Sequence, residues 1–462
     1  MNSEGLANAT TRMRAHGIDE RAIAVFAHYY AQLEAGSTGY IPEDSIAPLS
    51  EVTELADLGE EGAPDALAHT VVVKLNGGLG TSMGLQGPKT ALVVRDGLTF
   101  LDVMARQNLA LRAAHGVDVP FLLMNSLRTR DESLARLARY ADLAVDSLPL
   151  DFMQSAEPKL RADDLMPVDW PADPELEWCP PGHGDVYLSL STSGILEALL
   201  ARGCRHLFLS NSDNLGATCD PRIPAWMARE GIPYVAEVCE RTPNDRKGGH
   251  LAVRRSDGRI VLRDSAAVRP GEEHWFADEN RHHLFHANNL WVDLSVLAGR
   301  LAERSGVLGL PIIVNRKTVD PTDPASTPII QIETAMGAAV ELFDGARALK
   351  VPRTRFRPVK TTNELLLLRS DRFAIDELSH VVSVTQTPDT VIDLDGHYRM
   401  VADFDARLPF GAPSLRDCAR LTVSGDVTFG RGVTCLGDVT VQAEEGRPRR
   451  IADGSMLTGV LP

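Results

Sequence analysis

Between residue 71 and about residue 368, short apolar strand patterns alternate with helical ones, and this alternation limits the fold more than any other property of the chain. Segments 71–74, 120–124, 206–210, 234–238 and 290–292 read as strands, and segments 101–114 and 193–202 as helices lying between them. A chain that alternates in this way packs helices on both faces of its strands. The expected fold is therefore α/β, with a Rossmann-like mixed, mainly parallel sheet. In such sheets a ligand sits at the carboxyl ends of the strands.

The first strand pattern, Val71-Val72-Val73, runs directly into glycines at 77, 78, 80, 84 and 87 and then Lys89. Glycine lets backbone approach a ligand with no Cβ in the way. Successive N–H groups in such a loop form a concave anion site, to which Lys89 adds a full charge. Two better-known loops do not fit. Pro88 separates Gly87 from Lys89, which breaks the P-loop pattern. Gly78, Gly80 and Gly84 are spaced wrongly for the dinucleotide fingerprint. The reading is a strand followed by a phosphate-cradling loop, and the alternative is a glycine-rich turn without a ligand.

Two further segments carry chemistry. In Pro180-Pro181-Gly182-His183-Gly184-Asp185, glycines flank a histidine and leave its imidazole accessible to a phosphate or a sugar hydroxyl. A structural histidine is the alternative. In the segment 206–214 an apolar strand ends in Asn211-Ser212-Asp213-Asn214. A strand-end carboxylate suits Mg²⁺, which takes one or two carboxylates together with substrate phosphates. A solvated turn would use the same residue types.

The formal net charge of −16 and the lack of a basic stretch argue against a nucleic-acid partner. That charge also repels phosphorylated substrates, so a phosphate site must bring its own positive groups. Of the 47 basic residues only seven are lysine (74, 89, 159, 247, 317, 350 and 360) and 40 are arginine. A lysine retained in a glycine-rich motif is then suited to its compact, flexible ammonium. The six cysteines show no zinc-type spacing and read as free thiols in a reducing compartment. No apolar run reaches the length of a membrane span and no secretory core opens the chain, so a cytoplasmic, membrane-free protein is expected.

Residues 1–66 read as a helical segment, with helical spacing over 21–33 and Gly36 as a stop. Near the other end, Leu421, Val427, Val433 and Val439 recur every six residues, as do Val423, Phe429, Cys435 and Val441. That period signals a parallel β-helix, with an antiparallel hairpin as the alternative. The division expected is 1–66, a catalytic unit 67–370 and a C-terminal β-helix 371–462.

The run Lys74-Leu75-Asn76-Gly77-Gly78-Leu79-Gly80-Thr81-Ser82-Met83-Gly84, then Gly87-Pro88-Lys89 and Val94 to Asp102, closely resembles the signature of the eukaryotic-type UTP–glucose-1-phosphate uridylyltransferases. The Pro-Pro-Gly-His-Gly-Asp and Asn-Ser-Asp-Asn segments match the same family in the same order. So do Gln154, Lys247-Gly248-Gly249, Asn288-Asn289-Leu290-Trp291, Gln331 to Ala335, and Arg357-Pro358-Val359-Lys360.

The resemblance implies a nucleotide-diphospho-sugar transferase (GT-A-like) sheet and a left-handed C-terminal β-helix. The implied reaction joins UTP and glucose 1-phosphate into UDP-glucose and pyrophosphate, with Mg²⁺ as cofactor. Lys89, Asp213 and Lys360 would be catalytic, with Asp213 on the metal. Leu75, Asn76, Gly77, Gly78, Lys89, Gln154, Gly182, Asp213 and Lys360 would contact UTP. His183, Asn211, Lys247, Gly249, Asn288 and Glu333 would contact the sugar phosphate. A homo-oligomer through the β-helix is a further expectation. Two departures bear on the sugar and base pockets. His286-Ala287 stands where the family has Asn-Thr, and Met153 precedes Gln154 where the family often has Asn. A broad-specificity UDP-sugar pyrophosphorylase and a non-catalytic nucleotide-sugar binding protein are the competing readings.

Overall fold

The alternating apolar run forms a large mixed sheet in the computed structural model, which describes residues 3–146, 148–242, 245 and 248–461. Its central path is built from β1 (Thr70–Asn76), β2 (Phe121–Asn125), β3 (Asp151–Met153), β4 (His206–Asn211), β5 (Tyr234–Glu240), β6 (Leu284–Asp293) and β7 (Arg347–Lys350). The spatial order is β7-β5-β6-β4-β1-β2-β3, with Thr53–Glu54 at the β7 edge. Every neighbour pair on this path is parallel except those made by β6, which runs antiparallel to both β4 and β5. Parallel strands need a crossover, usually a helix. The chain between β5 and β6 holds instead a hairpin, His250–Arg254 with Ile260–Arg263, so β6 returns against β5.

Alternation along β1 sorts its side chains to two faces. Val72 packs with Phe121, Leu123, Phe208 and the helical residues Phe100, Leu101 and Met104. Val71 and Val73 pack on the other side with Leu122, Met124, Tyr187 and Leu196. Both faces are thus covered by helices. The four helices that bear on the site are α1 (Ser3–Ala15), α2 (Glu20–Glu34), α3 (Phe100–His115) and α4 (Leu127–Leu137). Helix α3 starts at a capping box. Asp102 N–H donates to Thr99 Oγ1 at 3.2 Å and Thr99 N–H donates to Asp102 Oδ2 at 2.8 Å.

Helices α1 and α2 bury Ile23, Phe26, Tyr29 and Tyr30 against Leu160, Ile312, Ile330 and Ile332. They thereby back a small sheet whose strand Pro328–Glu333 ends at Glu333.

The last part of the chain pairs in parallel, as the six-residue period predicts. Strands β8 (Val391–Leu394), β9 (Ser414–Ser424), β10 (Thr434–Gln442) and β11 (Met456–Leu461) form one parallel sheet, and Val427–Phe429 pairs in parallel with Arg449–Ile451. All eight residues of the repeat are buried. The strands are few, and their core is continuous with that of the central sheet through Phe373, Tyr398 and Phe404. The six cysteines are free thiols. Among the described residues no helix is long and apolar enough to cross a membrane.

Candidate active site

Register brings the motifs together. Leu75 pairs with Asn211 on one side and Met124 on the other, and Asn125 lies between Asn76 and Met153. The segments that follow β1, β3 and β4 therefore leave the sheet at one level. They are the glycine loop, Gln154 and the Asp213 turn.

The glycine loop doubles back, with Leu79 bridged to Pro88 and Lys89 N–H donating to the Gly78 carbonyl at 3.4 Å. Gly78 is exposed and would carry a Cβ into open space, so its backbone is free to meet a ligand. At Gly77 a Cβ would lie 2.5 Å from Gln154 Oε1, so the glycine is what admits the Gln154 amide. Asn76 has a different place. Its amide donates to Asn125 Oδ1 at 2.7 Å and Ser133 Oγ at 2.8 Å, and its oxygen accepts from Thr90 at 2.5 Å. That side chain is spent on holding the loop, which leaves only its backbone for a ligand. The Leu75 carbonyl is met by Ser212 N–H at 3.3 Å.

Lys89, Asp213 and Lys360 come from three distant segments and meet at one oxygen. Lys89 Nζ lies 2.9 Å and Lys360 Nζ 3.5 Å from Asp213 Oδ2. Lys360 is 60% exposed, whereas Lys89 and Asp213 are mostly covered, so the outer cation stays free to follow a substrate. Asp213 Oδ1 is buried and has no hydrogen-bond partner among the described residues. An ionised oxygen in that state is costly unless something polar meets it. A hard divalent cation fits it, and Mg²⁺ completes its shell with substrate oxygens. Among the described residues no group of three His, Cys, Asp or Glu side chains is placed to hold a metal, so Asp213 would act without a protein cage.

A second wall forms where Gly182-His183-Gly184 packs on Glu333-Thr334. Gly182 has φ +79°, and a Cβ there would lie 2.5 Å from the Thr334 carbonyl oxygen, so only glycine fits. Met336 N–H donates to His183 Nδ1 at 3.0 Å. Accepting at Nδ1 leaves the proton of the neutral ring on Nε2 as a donor. His183 is exposed, yet desolvation of its ring holds its pKa below the usual value, with Asp264 and Glu333 opposing the shift and Lys360 adding to it. Glu333 accepts from Asn315 Nδ2 at 2.9 Å. His286 N–H donates to the Gly249 carbonyl at 3.0 Å, which links that backbone to the same wall. Burial first, then the neighbouring His183, pushes the His286 pKa down to about 4. Asn288 adopts a left-handed backbone (φ +54°) and is half-buried, as is Asn211. Lys247 lies outside the described residues.

Two supporting groups take roles that a reading of the sequence does not assign. Glu237 is fully buried and accepts from Arg355 Nε at 2.8 Å, Asn289 Nδ2 at 2.9 Å and Trp291 Nε1 at 2.9 Å. The one available signal was a carboxylate inside an otherwise apolar strand, Tyr-Val-Ala-Glu-Val-Cys. Lys74 is also buried, donating to Ser210 Oγ at 2.7 Å and the Ala217 carbonyl at 2.6 Å. It ties β1 to β4 and to the far side of the Asp213 turn.

A family model described as UTP–glucose-1-phosphate uridylyltransferase matches residues 23–436. The chain is 41% identical over 421 residues to the UTP–glucose-1-phosphate uridylyltransferase of Solanum tuberosum, covering 90% of this chain and 84% of that one. With the Saccharomyces cerevisiae protein of the same name it shares 40% over 397 residues, or 86% and 78% of the two chains. Its fold is similar to the crystal structure of a UDP-glucose phosphorylase from Trypanosoma brucei, with a TM-score of 0.92, 43% identity and 99% of both chains covered. It is equally similar (TM-score 0.92, 40% identity, 98% of both chains) to a variant of UDP-glucose pyrophosphorylase from Leishmania major in complex with UDP-glucose.

Proposed function

Since the chain belongs to the UTP–glucose-1-phosphate uridylyltransferase family, we infer that it transfers the uridylyl group of UTP to glucose 1-phosphate and releases pyrophosphate. The observation that carries this reading is the convergence of Lys89 and Lys360 on one oxygen of Asp213, beside an exposed glycine backbone. In an acidic protein, two ammonium groups and a row of N–H donors are what crowded phosphates need.

A phosphate oxygen of glucose 1-phosphate attacks the α-phosphorus of UTP, and the bond from that phosphorus to the pyrophosphate oxygen breaks. No covalent enzyme intermediate is required. Catalysis is alignment plus stabilisation of charge on the transferring group. Lys89 and the Gly77-Gly78 backbone hold the triphosphate, and Lys360 meets charge growing on the reacting phosphates. Gln154, seated on Gly77, offers one donor and one acceptor to the uracil edge. His183 offers its Nε2 proton, and Asn211, Gly249, Asn288 and Glu333 offer polyol contacts. Mg²⁺, held by Asp213, would neutralise phosphate charge.

The same reading extends to the architecture. A division into 1–66, 67–370 and 371–462 is part of this reading, and its last unit, a short left-handed β-helix, is supported by the parallel C-terminal pairing. Met456 and Val460, each 70% exposed on the edge strand β11, support a homo-oligomeric contact there. Six free thiols suit a reducing cytoplasm.

His286 favours keeping a second reading open to test, a broader sugar specificity. It stands against Gly337, where a Cβ would lie 2.5 Å from its Cε1, and so shapes the wall proposed for the sugar. Crossing UTP, ATP, CTP and GTP with glucose 1-phosphate and galactose 1-phosphate tests both. Pyrophosphate release with UTP and glucose 1-phosphate is expected. Equal rates with both sugars favour the broad enzyme, and no release with any pair overturns the assignment.

A further inference from the structure

The two walls of the phosphate site are not held apart by the catalytic groups themselves. Asp213 sits in a turn after β4, and Lys360 ends a loop that begins at Arg355. Between them lies Asn214, 2% exposed, with its whole amide engaged. Its Nδ2 donates to the Arg355 carbonyl at 3.1 Å and to Asn289 Oδ1 at 3.3 Å. Its Oδ1 accepts from Arg357 N–H at 2.8 Å and Gly216 N–H at 3.2 Å. One side chain thus bonds Gly216 in its own turn, Asn289 on β6 and two points on the Lys360 loop.

The adjoining backbone is paired to match. Asn214 bridges Pro358, and Val359 N–H donates to the Asp213 carbonyl at 3.1 Å. The acceptors of Asn214 are fixed in turn. Arg355 is held by both oxygens of Glu237 and also donates from Nη2 to the Thr218 carbonyl at 2.9 Å, at the far end of the Asp213 turn. Asn289 is anchored by the same Glu237.

We propose that Asn214 is a positioning residue for nucleotidyl transfer, whose amide sets the spacing between Asp213 and Lys360 by clamping the turn of one to the loop of the other. This rests on the reading that those two groups handle the reacting phosphates. Asn214 touches none of the groups proposed for the uracil, so its loss acts on turnover more than on nucleotide binding.

The test is Asn214→Asp in the full chain. The substitution keeps the shape and both accepted bonds, but sets an acceptor against the Arg355 carbonyl and Asn289 Oδ1. Three quantities are read: kcat, KM for UTP, and amide hydrogen exchange over residues 355–361. A displacement of about an ångström costs up to roughly 100-fold in rate, so kcat should fall about 10- to 100-fold. KM for UTP should change much less than kcat, because Gln154, Lys89 and the Gly77-Gly78 backbone, which also hold UTP, make no bond to Asn214. Exchange at Val359, whose N–H donates to the Asp213 carbonyl across the loosened contact, should quicken. Asn214→Ser, which removes the clamp without adding charge, carries the same expectation if the first variant does not fold. Unchanged kcat and unchanged exchange at 355–361 in a folded variant would overturn the proposal, as would a rise in KM alone. If the unsubstituted protein releases no pyrophosphate, the functional reading falls, while the exchange measurement still decides whether Asn214 is the clamp.

Discussion

Lys89 shows why residue type matters more than charge. Its Nζ approaches Asp213 to 2.9 Å in a mostly covered position, with the exposed Lys360 against the same oxygen. A guanidinium is a broad planar fork and cannot take the place of a compact ammonium between phosphate oxygens. Lys89→Arg is therefore expected to lose at least about tenfold in turnover, or about 1.4 kcal/mol of transition-state stabilisation. Steady-state kinetics with UTP and glucose 1-phosphate check this, and unchanged constants would mean that only charge counts. Lys74 gives a different signature. Burial pushes its pKa down to about 7. In the unfolded chain it is expected near 10.4, so between pH 7 and about 10 the unfolded state binds more protons. The Lys74 contribution to stability then rises with pH across that window. From pH 7 to pH 9 the unfolding free energy of the unsubstituted protein should gain on the order of 2 kcal/mol relative to Lys74→Met. Parallel denaturation curves at the two pH values would refute it.

At the scale of elements, the N-terminal helices back the site rather than enter it. Ile23, Phe26, Tyr29 and Tyr30 cover Ile330 and Ile332, and Tyr29 Oη donates to the Leu310 carbonyl at 3.0 Å. Phe26→Ala should cost about 3–5 kcal/mol as a large-to-small core change. If the strand ending in Glu333 loosens with it, KM for glucose 1-phosphate should rise more than KM for UTP, and equal effects on both would contradict the buttress. The sequence made the strands and their loops legible because each motif is local. Val71 to Lys89 is one uninterrupted run, and Asp213 directly follows an apolar strand. The Glu237–Arg355 pair was not legible, since each member is a single residue in an ordinary segment and their meeting depends on β5 and the Lys360 loop folding together. The antiparallel course of β6 was equally hidden. Its apolar composition suits either direction, and only the hairpin before it removes the crossover.

On the scale of the whole molecule, the C-terminal sheet is fused to the catalytic sheet. Arg369 donates to the Val93 carbonyl at 2.6 Å and pairs with Asp405, while Met400 lies against Gly84 of the glycine loop. Cutting the chain near residue 395 would remove Tyr398 and Phe404 from a shared core, so truncation cannot isolate a contact role. The cleaner test is Met456→Glu with Val460→Glu on the exposed face of β11, which removes apolar surface and no core. Sedimentation should shift to a smaller species with activity kept, and an unchanged profile would exclude this face as a subunit contact. The central claim remains the single displacement at the α-phosphorus, with both phosphates aligned around Asp213. It is tested most directly by the stereochemical course, using UTP made chiral at the α-phosphorus by sulfur substitution. One in-line attack predicts inversion of configuration in the UDP-glucose formed. Retention would require two displacements through a nucleotidyl-enzyme and would contradict the account.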